Sequence, residues 1–489
     1  MAVLAAFVVN AGLNFVLGLL IAKLLGPADF GRFALATAGA VVLNTLLFEW
    51  LRLSATRFYS ARVREAEPWI RQGLDRAYAV TGLALFAAAA LCGGLGLRID
   101  PEPEGRFAVA AATALAALAI GLFDYHAALA RARFVGGTYL RLVVWKNLFG
   151  VVLMGGTAFL LPQPVWVLLA GGASQFLAVL VMRTALRDPK AAVSPHRARE
   201  TLRLFARYGL PLIAANAIYQ LLPFVNRGAI VAASDFAEAG YFALAADLGG
   251  RVFTTFGTAL DLLLFQLAVR AEEHHGRVAA EAQVSRNLGV VVALLLPAAA
   301  GYWAVTPALQ GLLVPEAYRG PFALYTALLL PGILCLSVMH YALNPIFQIR
   351  RRTGPVVLAA ALGLAVNALG ILWLPPLYGP AGVAAAQTLG LAAAVALLAI
   401  RALAGRERLA LPWRDIALAA LGSAAMLAAL TPLRHLPPAA ALALCLPLGA
   451  AIYGGVVWGF DVAGLRGLVT ERISGASLLR RKSPSRAMP

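Results

Sequence analysis

The residues best able to do chemistry in this chain lie inside apolar sequence. Asn216, Gln220 and Arg227 stand at i, i+4 and i+11, which is one face of a helix with 3.6 residues per turn. Pro223 shares that face; it removes a backbone donor and favours a kink beside a cavity. A guanidinium at such depth can bind a phosphate bidentately, snorkel to the interface or pair with a carboxylate, and the sequence leaves these options open. Asn10 and Asn14 form a smaller stripe near the N-terminus, while Lys23 falls about half a turn away from it. Asp247 and Arg251, at i and i+4 with Asp261 near the same face, are expected to form an intrahelical bridge that offsets their desolvation. His340, Asn344 and Gln348 follow one another at i+4 steps, as in a helix–helix seam or a cavity wall. Glu49, Asp124, His126 and Lys146 complete the ionisable set at membrane depth, where charge is costly and marks function. Arg227, Asn216, Gln220, Arg251 and Asn14 are therefore the candidate substrate-binding residues, and Asp124 and Asp247 the candidate ion-coupling carboxylates.

The elements that must position these groups are membrane helices. Of 489 residues, 61% are hydrophobic and 13% charged, against roughly 25% charged in soluble chains. The apolar runs reach about 20 residues, the length that crosses a bilayer core, and they lack barrel alternation. Fourteen spans are expected, near 2–24, 33–51, 77–97, 107–128, 139–161, 165–184, 208–232, 240–269, 287–314, 322–349, 355–375, 381–403, 415–432 and 438–460. The first reads as a retained span rather than a signal peptide. Cys92, Cys335 and Cys445 all lie in apolar runs and form neither a disulfide framework nor a metal-ligand cluster.

Every second connection is rich in arginine. The first of these holds Arg52, Arg57, Arg62, Arg64, Arg71 and Arg76, and a later one holds Arg183, Arg187, Arg199, Arg203 and Arg207. The intervening connections are short and carry only Arg32, Arg98, Arg106, Arg319 and Arg434, and one is acidic at Asp100, Glu102 and Glu104. The asymmetry predicts both termini in the cytoplasm and accounts for the net charge of +18 without nucleic acid. The basic tail after Asp461 is expected to stay near anionic lipid.

The chain also repeats itself. Asn10-Ala11 to Asp29-Phe30 keeps step with Asn216-Ala217 to Asp235-Phe236 at an offset of 206 (216 − 10 and 235 − 29). After a three-residue insertion, Gly31-Arg32-Phe33-Ala34-Leu35-Ala36 aligns with Gly240-Tyr241-Phe242-Ala243-Leu244-Ala245. Repeated halves are a signature of membrane transporters. No Walker A loop, dinucleotide-binding glycine fingerprint or His-Glu-x-x-His is present, so no cofactor is expected, and the energy source is expected to be a gradient.

The stretch Leu25–Ala36 resembles the first connection of bacterial polysaccharide transporters in the multidrug/oligosaccharidyl-lipid/polysaccharide flippase superfamily. Tyr208-Gly209-Leu210-Pro211-Leu212 with Asn226-Arg227, then Gly240–Ala245 and Tyr378-Gly379-Pro380-Ala381-Gly382-Val383-Ala384, are similar to later motifs of that family. The resemblance implies an all-α polytopic membrane protein of about 14 transmembrane helices. Two pseudo-symmetric six-helix lobes (1–203 and 204–405) would surround a cavity, followed by two extra helices (406–460) and a basic tail (461–489). It implies a flippase that moves polyprenyl-diphosphate-linked oligosaccharide repeats across the bacterial inner membrane for cell-surface polysaccharide such as lipopolysaccharide or exopolysaccharide. Membrane lipid, a polysaccharide polymerase and chain-length proteins would be its partners. Where the family often has Asp-Arg, this chain has Asn226-Arg227, which weakens any ion-coupling role carried by that carboxylate. Two rivals stand beside this reading. An ion-coupled multidrug exporter of the same superfamily would draw on Asp124 or Glu49. A membrane polysaccharide polymerase or ligase would need a sizeable outer loop, and the outer connections are short.

Overall fold

The computed structural model describes residues 2–59, 67, 69–100, 102, 105–133, 136–188, 195–350, 352, 354–404 and 409–467. The expectations placed on the side chains of Asp261, Tyr208, Pro211 and Leu212, on Glu104, Arg62 and Arg64, and on the tail beyond residue 467 fall outside what is described. Among the described residues all regular structure is helical and no strand occurs.

In chain order the helices are α1 (2–25), α2 (27–47), a short α3 (Glu49–Phe58), α4 (Trp69–Ile99), α5 (Arg106–Ala132), α6 (Gly136–Leu160), α7 (Pro164–Val181), α8 (Pro195–Ala233), α9 (236–275), α10 (277–312), α11 (Glu316–Ile349), α12 (Gly354–Trp373), α13 (Ala381–Leu403), α14 (Trp413–Leu430) and α15 (Pro438–Phe460). Eleven continuous helical stretches are long and apolar enough to cross a membrane. Two of these are each divided by one glycine, and α8 adds a further long helix, so the long helices number fourteen among the described residues. The chain is an all-α, multi-pass membrane protein.

The dividing glycines are Gly26 (φ 75°, ψ 173°) and Gly276 (φ 79°, ψ −179°). That region is essentially closed to residues with a Cβ. The connection expected between the spans 2–24 and 33–51 is thus reduced to one residue. Pro27 directly follows Gly26 and opens α2, where its missing N–H is no loss. Asp29 then sits in the first turn of α2, paired with Arg32 at 2.8 Å, the sign of charge that a helix N-terminus favours. Spans 8 and 9 likewise run on through charged sequence to Gly276 rather than stopping in a long linker.

The chain forms two compact units. Unit 1 comprises 1–251, 314–329 and 357–394; unit 2 comprises 252–313, 330–356 and 395–489. In unit 1, α2, α5 and α7 meet over Ala36, Ala40, Ala112, Ala116 and Ala117, small residues that let apolar helices approach closely. A second cluster joins Phe48 at the α2–α3 junction with Leu51, Leu74, Tyr125, Leu129 and Phe205 from α3, α4, α5 and α8. Beside it, Asp188 gathers Arg71 (2.9 Å), Arg133 and the Tyr59 hydroxyl, and Arg71 also reaches Asp75 at 2.8 Å. Burial, followed by the hydrogen bond to Asp188, pushes the Tyr59 hydroxyl up to about 12. In unit 2, α10, α14 and α15 pack through Ala304, Val305, Met426, Leu430, Cys445 and Tyr453.

Candidate functional site

Unit 1 contains a polar cavity of about 230 Å³ lined by α1, α2, α5, α6, α7, α8 and α9. Arg227 is anchored in it by two hydrogen bonds. The side chain is 8% exposed; its Nη1 donates to the Ala34 carbonyl at 2.7 Å and its Nη2 to Asp247 Oδ1 at 2.8 Å. Its fork is therefore shared between helix 2 backbone and a carboxylate of α9, while Nε is buried without an acceptor. Of the options open from sequence the carboxylate pairing is realised, and Arg227 also lines the cavity.

Asp247 thus takes a partner from α8, a contact that reading α9 alone does not supply. Arg251 also lines the cavity, with its guanidinium 3.5 Å from the place a Cβ on Gly18 would occupy. The absence of a side chain at Gly18 makes room for it.

An amide cluster forms another part of the lining. Asn14 Nδ2 donates to Asn147 Oδ1 (3.1 Å) and to Asn10 Oδ1 (2.9 Å), and Lys146 Nζ donates to the same Asn10 oxygen at 3.1 Å. Lys146 also lies over the Phe123 ring at 5.3 Å, a cation–π contact that partly replaces lost hydration. It lies within Coulomb range of both Asp124 and Arg251. On α6 the turn over Gly150–Gly155 is a π-bulge, and Gly150 and Met154 from it face the cavity. Such bulges recur at functional sites because they re-aim side chains.

Of the seven candidates from sequence, Asn14, Arg227, Asp247 and Arg251 come together here. Asn216 and Gln220 are half-buried and do not line the cavity; they lie about 16 and 10 Å before Arg227 along α8. Asp124 is half-buried on α5 and does not line the cavity; Asn44 Nδ2 approaches it at 3.5 Å. Lys146 and Asn147, minor or absent in the sequence reading, are lining residues. Their signal was two polar residues together in an apolar run.

Behind Arg227 lies a second buried network that sequence did not assemble. Asn226, fully buried, donates to Gln387 Oε1 at 2.6 Å and accepts from Asn367 Nδ2 at 2.8 Å. These neutral amides join α8, α12 and α13. His340, in unit 2, sits in a π-bulge over Met339–Leu343. Among the described residues no group of three or more His, Cys, Asp or Glu side chains is placed to hold a metal ion.

No family model matches the chain, and no curated protein matches it. Solved structures do. A lipid II flippase, MurJ, in an inward closed conformation is similar with a TM-score of 0.71 at 13% identity, over 95% of this chain and 99% of that one. An outward-facing multidrug resistance MATE family transporter of the MOP superfamily is similar with a TM-score of 0.58 at 13% identity, over 88% and 96%. A MOP superfamily transporter from Pyrococcus furiosus, described as having a binding pocket of reversed polarity, is similar with a TM-score of 0.56 at 14% identity, over 88% and 95%. At such identity the likeness is one of architecture: this chain has the fold of the MOP superfamily transporters.

Proposed function

We propose that the chain is a flippase for a polyprenyl-diphosphate-linked oligosaccharide, carried from the cytoplasmic to the outer leaflet of a bacterial inner membrane. The observation that carries this reading is the charge of the cavity lining. Among the described lining residues Lys146, Arg227 and Arg251 are cationic and Asp247 is anionic, a balance of +2 (3 − 1). A diphosphate diester bears two negative charges, and a polar, cationic cavity lowers the penalty of bringing them to membrane depth. A cationic drug would meet the same balance as repulsion, which favours the flippase over the multidrug exporter.

At about 230 Å³ the cavity is below the usual 300–1,000 Å³ of small-ligand sites, so a diphosphate fits and an oligosaccharide requires opening. Rocking of two lobes, 1–203 and 204–405, would provide it. The repeat supports that division, because the matched glycines Gly31 and Gly240 face each other: a Cβ on Gly31 would lie 1.9 Å from the Phe236 carbonyl oxygen, and one on Gly240 would lie 2.1 Å from that of Pro27. Asp124 and Asp247 remain the proposed ion-coupling carboxylates, with Lys146 the link between Asp124 and the cavity. The arginine asymmetry of the connections supports cytoplasmic termini.

The test follows lipid-linked sugars in cells lacking the protein. Complete repeats that an added, impermeant glycosidase cannot reach support the flippase. Complete repeats that reach the outer leaflet unpolymerised would instead mark a polymerase, and an unchanged lipid pool with altered drug sensitivity would mark the exporter.

A further inference from the structure

A larger cavity, about 680 Å³, lies on the other side of α2 from the polar one. It descends along α2 from Arg32 to Leu43, eleven residues or about 16 Å. That is close to one leaflet's share, about 15 Å, of the hydrocarbon core. Its walls are apolar: Leu35, Gly39, Val42, Val109, Thr113 and Phe224, with Phe224 still 38% exposed. Gly39 keeps the floor clear, since a Cβ there would press to 3.2 Å on the Phe224 ring and 3.3 Å on Thr113. Among the described lining residues charge occurs at one end, where α2 and α5 begin, as Arg32, Arg106 and Glu102; Arg32 is oriented there by Asp29 at 2.8 Å and by the Phe236 ring at 5.0 Å.

We propose that this groove is a binding site for a membrane phospholipid with a zwitterionic headgroup, phosphatidylethanolamine. One acyl chain fills the groove. The phosphate lies between the Arg32 and Arg106 guanidiniums, which suit its oxygens, and the ammonium lies on Glu102. The volume falls within the range of small-ligand sites, and the charged rim lies at headgroup level when the apolar shaft spans one leaflet. The lipid would back α2 from one side, while Arg227 holds its Ala34 carbonyl from the other. Occupancy would therefore stiffen the helix that walls the polar cavity. This site does not depend on the identity of the transported substrate.

The full-length protein, purified in mild detergent and exposed to nanodiscs of phosphatidylethanolamine, phosphatidylglycerol or phosphatidylcholine, is examined by native mass spectrometry. One retained phosphatidylethanolamine is expected, preferred about tenfold over the other two lipids. Glu102→Lys is expected to turn the preference towards phosphatidylglycerol, and Val109→Trp to abolish retention by filling the shaft. Equal retention of the three lipids by the unaltered protein overturns the headgroup assignment, and undiminished retention by Val109→Trp overturns the groove. If Val109→Trp does not elute as a folded protein, the Glu102→Lys switch at the exposed rim decides: an unchanged preference refutes the site.

Discussion

Replacing Gly31 by alanine tests a close backbone approach between α2 and α9. The added Cβ would lie 1.9 Å from the Phe236 carbonyl oxygen, where real Cβ contacts do not fall under 3.0 Å. α2 and α9 must therefore separate by at least 1.1 Å (3.0 − 1.9). The obstacle is backbone, so no side chain can swing aside, and the upper part of the overpacking range, about 3 kcal/mol, applies. A gain of about 1 kcal/mol from replacing a helical glycine offsets part of it, leaving about 2 kcal/mol of destabilisation. The separation also loosens the Arg32–Phe236 stack (5.0 Å) and the edge contact of Tyr241 with Tyr318 (5.7 Å). Gly240→Ala meets the Pro27 carbonyl at 2.1 Å and demands the same separation. The double variant shares one separation but gains twice from the helical replacements, so it should cost about 1 kcal/mol (3 − 2) rather than about 4, a non-additivity expected of groups sharing one backbone shift. Gly156→Ala, with no atom within 4 Å of the new Cβ, is the control and should be neutral to slightly stabilising. Unfolding free energies in detergent micelles measure all four proteins. A Gly31→Ala variant as stable as the control, or full additivity of the pair, would refute the shared crossing.

Three further outcomes are expected. Arg227→Lys keeps the charge but cannot serve both the Ala34 carbonyl and Asp247 with a rigid fork; transport measured in vesicles should fall by about tenfold or more, and unchanged transport would remove Arg227 from the site. Asp188→Asn strips the counter-charge from Arg71 and Arg133, whose side chains are 9% and 5% exposed, and should destabilise the fold by about 3–5 kcal/mol; chemical unfolding that reads below about 1 kcal/mol would show that Asp75 alone suffices. The Tyr59 hydroxyl titrates at about 12 in the fold against the ordinary 10. The neutral form is therefore favoured by folding, and its contribution is complete below pH 10 and lost as pH rises towards 12. A Tyr59→Phe variant should show a shallower loss of stability over that window, and an identical slope would mean that Tyr59 ionises as freely folded as unfolded.

The sequence by itself determined that this is a membrane protein of fourteen long helices, because run length and charge exclusion are properties of each segment against lipid. It also revealed the repeat, and with it the two glycines that meet, since local similarity needs no tertiary knowledge. The helix 1–2 junction was legible as a connection between the spans 2–24 and 33–51, although not that one residue makes it. Helical periodicity placed Asn216, Gln220 and Arg227 on one face, but a face is long, and only Arg227 lies at the level of the cavity. Tertiary structure alone decided that level, the pairing of Arg227 with Asp247 across α8 and α9, the promotion of Lys146 and Asn147 from α6, and the amide network of Asn226, Asn367 and Gln387. Each of these joins residues from different helices. Which faces of separate helices meet depends on packing of small residues and on shared polar partners, and one helix's sequence does not contain its neighbour's.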